Sequence, residues 1–267
     1  MSDMLYTRRS FTNTYPIEKS DVCFLGVPFD STAYAEGNQR FGPVTVRHAL
    51  KVAESYVPEK DVDPFEKLKV ADVGDLDWVP GSFEETASRL KDTIDSIERK
   101  NGNALKLFLC GDHSMTYPIV EELEPKTVVQ MDAHADLYEN QEGNKKAHNT
   151  WAKRVEENME TEIVQIGVRS YAEGQKEDVE NIGASLENLK EPVYLTLDMD
   201  VFDPSYAPHT GYPEENGLSP GDVFEKIDTV FQNDVIGMDV CEISSKTLNN
   251  RTSVLAAKSI LRALSNL

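Results

Sequence analysis

Residues 127–136 read Thr-Val-Val-Gln-Met-Asp-Ala-His-Ala-Asp. The first five form an apolar, β-branched run with little alternation. That is how a strand buried on both faces of a parallel sheet reads. The next five set Asp132, His134 and Asp136 at i, i+2 and i+4. On extended backbone all three would project to one side. The stretch therefore predicts a sheet strand that delivers polar chemistry past its carboxyl end, where open α/β sheets gather ligands.

The same grammar recurs on both sides. Further apolar runs lie at Val22–Val27, Lys69–Val73, Leu105–Cys110, Ile163–Val168, Val193–Leu197 and Val235–Val240. Leu105–Cys110 runs into Gly111-Asp112-His113-Ser114. Val193–Leu197 runs into Asp198-Met199-Asp200, then Asp203-Pro204. Val235–Val240 runs into Cys241-Glu242. Helical periodicity fills the intervals. In Glu84–Lys100, Ala87, Leu90, Ile94 and Ile97 fall three and four apart, with Ser82 and Glu85 placed as a capping box. Pro43–Ala53, with Pro43 near its first turn, Gly221–Phe231 and Thr252–Leu264 read similarly. Strand and helix alternate without a linker or repeat. The expectation is an α/β sandwich, helices on both faces of a mainly parallel sheet, in one domain over residues 1–267.

Composition narrows the function classes. Asp and Glu number 47 against 27 Lys and Arg, a net charge of −20. That opposes a nucleic-acid or anionic-membrane partner, which needs clustered cations. A solvated acidic surface explains the excess; a salt-adapted cytoplasm or attraction of a cationic substrate would also fit. Residues 1–16 hold no apolar run, so neither a secretory signal nor an anchor is expected, and no segment has the length of a bilayer span. Three separated cysteines, Cys23, Cys110 and Cys241, suit a reduced, cytoplasmic protein.

The strand-end residues point to metal. A lone D-x-D more often caps a turn, but three such motifs at strand ends are another matter. Four carboxylates brought within a few ångströms repel unless a cation neutralises them. Two divalent ions would do so, held by His113, Asp132, His134, Asp136, Asp198 and Asp200. This oxygen-rich set suits Mn²⁺ better than a thiolate zinc site. Cys110 lies within its strand and is not counted.

These residues resemble the ureohydrolase superfamily of arginases and agmatinases. The resemblance runs nearly end to end, through Gly26-Val27-Pro28-Phe29-Asp30, Arg40-Phe41-Gly42-Pro43 with Val46-Arg47, and Asp72-Val73-Gly74-Asp75. It continues through Gly111–Ser114, Asp132–Asp136, Asp198–Pro204 and Glu242. It implies a three-layer α/β/α fold, a binuclear Mn²⁺ site, and assembly as homotrimers or homohexamers. His113, Asp132, Asp136 and Asp198 would hold one ion. Asp132, His134, Asp198 and Asp200 would hold the other. By the same resemblance Asp136 would orient and deprotonate the attacking water, His148 would shuttle a proton to the leaving amine, and Glu242 would pair with a guanidinium.

The segment 136–148 resembles agmatinases of the archaeal and bacterial type. It carries Glu139 and Glu142, which would repel a substrate carboxylate and favour a neutral or cationic tail if they face the pocket. The small guanidino compound implied is agmatine, giving putrescine and urea; arginase, guanidinobutyrase, formiminoglutamase and an inactive metal-binding homologue are the alternatives. Three departures from the family pattern stand out: Cys110 for a glycine, Asn149 after the shuttle histidine, and Pro208-His209-Thr210-Gly211-Tyr212-Pro213 for the usual Pro-Gly-Thr-Gly-Thr-Pro. Tyr212 would narrow the guanidinium pocket or add a hydroxyl donor. The cysteine can fill a buried strand end and is expected to change little; the other two touch substrate fit, and all three leave the metal ligands alone. His209 is not needed as a ligand, and His48 reads as structural.

Overall fold

The structure, a computed structural model, describes residues 15–33, 37–181, 185–186 and 188–267. Most of the N-terminal segment read above as neither signal nor anchor, residues 1–14, lies outside them. Seven strands form the sheet: β1 (Val22–Val27), β2 (Val70–Asp75), β3 (Leu105–Cys110), β4 (Thr127–Met131), β5 (Glu162–Ile166), β6 (Val193–Asp198) and β7 (Val235–Cys241). The helices are α1 (Gly42–Val52), α2 (Pro64–Lys67), α3 (Phe83–Asn101), α4 (Thr116–Leu123), α5 (Trp151–Asn158), α6 (Lys176–Asn181), α7 (Pro220–Val230) and α8 (Arg251–Leu264). Every strand pair is parallel, in the order β2-β1-β3-β7-β6-β4-β5.

Strand alternation sorts the core into two sheets of packing. Val22 and Phe24 of β1, with Leu107 and Leu109 of β3, face Val46, Ile227 and Ile260 of α1, α7 and α8. Cys23 and Leu25 of β1, with Phe108 of β3, face Leu90, Ile119 and Trp151 of α3, α4 and α5. Both faces are covered, so the fold is a three-layer α/β/α sandwich, and the unalternating hydrophobic runs are accounted for. The expected Ser82 cap on α3 forms, Ser82 Oγ accepting from Glu85 N at 3.3 Å.

Four expected strands shift at an end by one or two residues, β6 and β7 each running one residue further. β2 runs on to Asp75 and β5 stops at Ile166. In β5 the pairing with β4 ends at Met131, after which Gly167 turns through a left-handed φ of 92°. The strands whose carboxyl ends carry polar motifs, β3, β7, β6 and β4, are consecutive neighbours at the centre of the sheet. That adjacency comes from the crossovers, and it turns four separate motifs into one site. Among the described residues no helix is long and apolar enough to cross a membrane.

Candidate metal centre and substrate cavity

In three of the four polar motifs, those after β3, β4 and β6, an aspartate bends the chain away from its strand. Asp112 Oδ1 accepts from Ser114 N at 3.1 Å, Asp132 Oδ1 from His134 N at 2.6 Å, and Asp198 Oδ1 from Asp200 N at 2.8 Å. These are Asx turns, in which the carboxylate takes the amide two residues on. The expectation of same-side projection along extended backbone is therefore corrected. Met199–Val201 is a 3-10 turn, and Asp136 sits at a left-handed φ of 55°. The turns fold the i+2 residues back toward the aspartates. A single carboxylate caps with one oxygen and faces the centre with the other.

The second oxygens converge. His113 Nδ1 lies 3.2 Å from Asp132 Oδ2, 3.3 Å from Asp136 Oδ2 and 3.3 Å from Asp198 Oδ2. His134 Nδ1 lies 2.9 Å from Asp200 Oδ2 and 3.7 Å from Asp132 Oδ1. Asp132 thus belongs to both halves, and both are spaced to hold an ion. Other contacts orient the set. Trp151 Nε1 donates to Asp136 Oδ2 at 2.7 Å, and its ring packs on His113 at a centroid distance of 4.8 Å. Gln130 Nε2 donates to Asp132 Oδ2 at 2.8 Å, and Ala133 N to Asp200 Oδ1 at 2.9 Å.

Electrostatics at this cluster are unbalanced without a cation. Burial, with charge on neighbouring aspartates, pushes Asp136, Asp198 and Asp200 above the usual carboxylate range, Asp198 furthest. Burial also opposes charge on Asp132, but both imidazoles outweigh it and hold that group low. Burial disfavours a charged His113, yet Cys241 and the three carboxylates drive its pKa well up. His134 is raised in the same way against its own burial, by Asp132 and Asp200. These groups compete for protons that divalent ions would displace. Among the described residues the buried His113 Nδ1 also has no hydrogen-bond partner, as a metal-ligating nitrogen requires. The residues present fit a two-ion site.

Over this floor opens a cavity of about 560 Å³. His113, His134, Asp136, Asp198 and Asp200 line its base, with His148 and Glu242 in its wall. Glu242 follows β7 at a left-handed φ of 63°. Its Oε1 accepts from His113 N at 2.8 Å and its Oε2 from Gln39 Nε2 at 3.2 Å. Burial raises its pKa to about 7. Gly211 permits this approach, since a Cβ there would stand 2.5 Å from Gln39 Nε2 and 3.1 Å from Glu242 Oε2. His148 Nδ1 lies 2.8 Å from the Thr32 carbonyl oxygen, which can only accept. Nδ1 therefore carries a proton, and Nε2 is the nitrogen left for the cavity. Thr32 is itself held by Asp112, its Oγ1 donating to Asp112 Oδ2 at 2.8 Å.

The structure divides the two loop glutamates. Glu142 lines the cavity; Glu139 does not, and its carboxylate lies 3.9 Å from Arg154 Nη2. Lys146 is drawn off to Glu84 at 3.3 Å and to the ring of Phe83. Tyr212 is 55% exposed, edge-on to His134 at 5.8 Å, so it borders the mouth. His209 is not among the lining residues. Glu214 was given no role from sequence, although the Glu214–Gly217 run departs from the glycine-rich family pattern. It lines the cavity, accepts from Ser170 Oγ at 2.8 Å and stands 3.6 Å from His134 Nε2. Nor was Arg169, whose Nη2 donates to the carbonyls of Asp200 at 2.7 Å and Glu214 at 2.9 Å, tying floor to rim. Gln39, Thr32 and Trp151 also escaped notice, because nothing in their local pattern distinguishes them from packing residues. For Asp112 the signal was its place in the Gly111–Ser114 motif.

Comparison with known proteins agrees with this geometry. A family model described as "Arginase family" matches residues 20–265. The chain is 39% identical over 277 residues to an agmatinase of Pyrococcus horikoshii, covering 96% of each protein. It is 36% identical over 278 residues to an N(1)-aminopropylagmatine ureohydrolase of Thermococcus kodakarensis, covering 96% of this chain and 95% of that one. The crystal structure of agmatine ureohydrolase of Thermoplasma volcanium superposes with a TM-score of 0.84 at 27% identity, over 94% of this chain and 91% of that one.

Proposed function

Because this chain belongs to the arginase family and is an agmatinase-like ureohydrolase, we propose that it is a binuclear manganese amidinohydrolase converting agmatine to putrescine and urea. The observation that carries this reading is one cavity holding the His113–Asp200 cluster at its base, with Glu242, His148 and the tail-side carboxylates Glu142 and Glu214 around it. Its relatives named agmatinase and N(1)-aminopropylagmatine ureohydrolase support the guanidino substrate class.

His113, Asp132, Asp136 and Asp198 would hold one ion, and Asp132, His134, Asp198 and Asp200 the other. Such a pair lowers the pKa of water toward neutrality and so supplies the nucleophile. The hard, oxygen-rich donor set is the reason for choosing Mn²⁺. Glu242 receives the planar guanidinium, whose charge favours its ionised form. Asp136, its Oδ2 fixed by Trp151, would orient the attacking water and take its proton as the C–O bond to the guanidinium carbon forms; the C–N bond then breaks. His148, its Nδ1–H held by the Thr32 carbonyl, delivers a proton from Nε2 to the departing amine. Glu142 and Glu214 disfavour a carboxylate tail and suit an amine. Tyr212 flanks the path of that tail. The acting unit is the single domain of residues 1–267, in a homotrimer or homohexamer in the cytoplasm. The cytoplasmic placement is supported by Cys23, Cys110 and Cys241, all buried and free. A net charge of −20 speaks against nucleic acid as partner.

A second reading comes from the same two glutamates. A paired acidic wall in a cavity of about 560 Å³ also suits a longer polyamine tail, such as that of N1-aminopropylagmatine. Urea release by Mn²⁺-loaded protein decides between them. Agmatine, N1-aminopropylagmatine, arginine and guanidinobutyrate are supplied separately. Release from agmatine is expected, and a higher kcat/KM on the aminopropyl compound would favour the second reading. Release only from the carboxylate-bearing substrates would overturn the role of the acidic wall. No urea from any of them would overturn the activity.

A further inference from the structure

One fully buried carboxylate beside the centre has no part in the chemistry above. Asp239 lies on β7 with no exposed surface. Its Oδ1 accepts from Thr196 Oγ1 at 2.7 Å. Its Oδ2 accepts from Tyr194 Oη at 2.8 Å and from Thr116 Oγ1 at 2.9 Å. Thr196 and Tyr194 stand on the neighbouring strand β6, and Thr116 opens α4. The Thr196 oxygen also lies 2.7 Å from His113 Nε2.

The hydrogens along this chain can be counted. A threonine hydroxyl has one proton. Here it goes to Asp239, so the bond between Thr196 and His113 must be donated by Nε2–H. The other ring nitrogen, Nδ1, is then left with its lone pair aimed at Asp132, Asp136 and Asp198. A lone pair facing three carboxylate oxygens at 3.2–3.3 Å is the arrangement of a metal ligand. Reversal of the Thr196 hydroxyl would instead put the proton on Nδ1 and block ligation.

We infer that Asp239 is a positioning residue that fixes the metal-ligating tautomer of His113 through Thr196. Resting on the two-ion reading, this extends it to groups that touch neither ion nor substrate. His113, Asp239 and Cys241 are also close enough together to suggest a separate ion site. The hydroxyls argue against that, because they occupy both Asp239 oxygens. The Cys241 thiol, pushed well up by burial, is directed to the Leu197 carbonyl at 3.7 Å. Tyr194 and Thr116 hold the carboxylate in place, so only Oδ1 faces the relay. Among the described residues His134 has no such relay: its Nε2 has no hydrogen-bond partner there, and Glu214 is 3.6 Å away, beyond hydrogen-bond range.

The test is Mn²⁺ affinity, measured by competition with a chelator, in wild type, T196V, T196S, D239N and the double variant T196V/D239N. Melting of each metal-free protein checks the fold. Outer-sphere partners of a metal-bound histidine are worth about 10–100-fold in metal affinity. T196V and D239N should each weaken one of the two bound ions by about that factor, and T196S should restore it. The double variant should lose no more than T196V alone, because Asp239 acts through the hydroxyl that T196V removes. Wild-type affinity in D239N, or losses that multiply in the double variant, would overturn the inference and leave the two-ion reading standing. Failure of wild type to bind Mn²⁺ would overturn both. If D239N does not fold, the contrast between T196V and T196S decides: equal affinities in that pair overturn the relay.

Discussion

The floor and the rim of this cavity are built on different principles. On the floor, every functional side chain leaves the end of a central strand or an Asx turn directly after it. Asp132 has no exposed surface and His113 is 1% exposed. Most of the floor's polar atoms already have a protein partner, and several carboxylates serve a cap and the centre at once. On the rim, Tyr138, Glu142, Tyr212 and Glu214 come from two loops, and Tyr212 is 55% exposed. Few of these side chains are held. The difference teaches where reaction class and substrate choice are stored. The floor tolerates little change because Asp132, Asp198 and Asp200 each hold a backbone amide with one oxygen and face an imidazole with the other. The rim can vary the tail of the substrate and leave the ions alone.

The deepest cut across that division is His148→Ala. His148 reaches the cavity from the wall, so its loss should lower kcat by roughly 10²–10⁴-fold with both metals still bound. Metal analysis beside steady-state kinetics checks this. Loss of an ion would move His148 into the floor, and wild-type turnover would remove its role.

Metal removal comes next. Ions that bind only the folded chain add stability directly. At free Mn²⁺ a thousandfold above Kd that is about 4 kcal/mol per site, or roughly 10 °C in Tm for a chain of this size. Asp198→Asn sharpens the contrast. The Asp198 carboxyl is pushed well above its usual range in the cation-free cluster, so an amide replaces a group that readily holds a proton. The metal-free variant should melt within a few degrees of wild type yet forfeit most of the metal-dependent rise. Calorimetry with and without chelator measures both. A variant that keeps the full rise would exclude Asp198 as a ligand.

The smallest effect belongs to the rim. Glu142→Gln and Glu214→Gln should each raise KM for agmatine about tenfold, the scale of one charged hydrogen bond, with kcat nearly unchanged. Initial-rate kinetics separate the two constants. A fall in kcat with steady KM for Glu214→Gln would assign Glu214 to His134 and the floor.

This division also explains how much was legible in sequence. The strand runs and the polar residues after them are local patterns, so all six floor residues were readable, and the structure brings them together. The meeting of β3, β7, β6 and β4 was not readable, because strand order depends on crossovers that no local pattern records. Turn geometry was half read. The D-x-D and D-x-H spacings suggested either a cap or a ligand pair, and Asp132 and Asp198 do both with separate oxygens. α4 and α5 passed unnoticed because eight residues span barely two turns of periodicity. Glu142 and Glu139 looked alike in sequence. Their surroundings in the fold separate them: Glu142 lines the cavity, while Glu139 lies on the side of Arg154 of α5.

Asp136 and Glu242 both sit in left-handed backbone. A side chain with a Cβ costs about 1–2 kcal/mol there, less for aspartate, and glycine would be the relaxed choice. Backbone strain alone would therefore favour glycine at 136 and 242, but at the loss of the bonds these carboxylates accept from Trp151 Nε1 and His113 N. On the proposed mechanism, demand for turnover also holds the carboxylates there. A gene copy released from that demand would be expected to lose them early, well before its sheet, its helices or its capped turns showed any sign of decay.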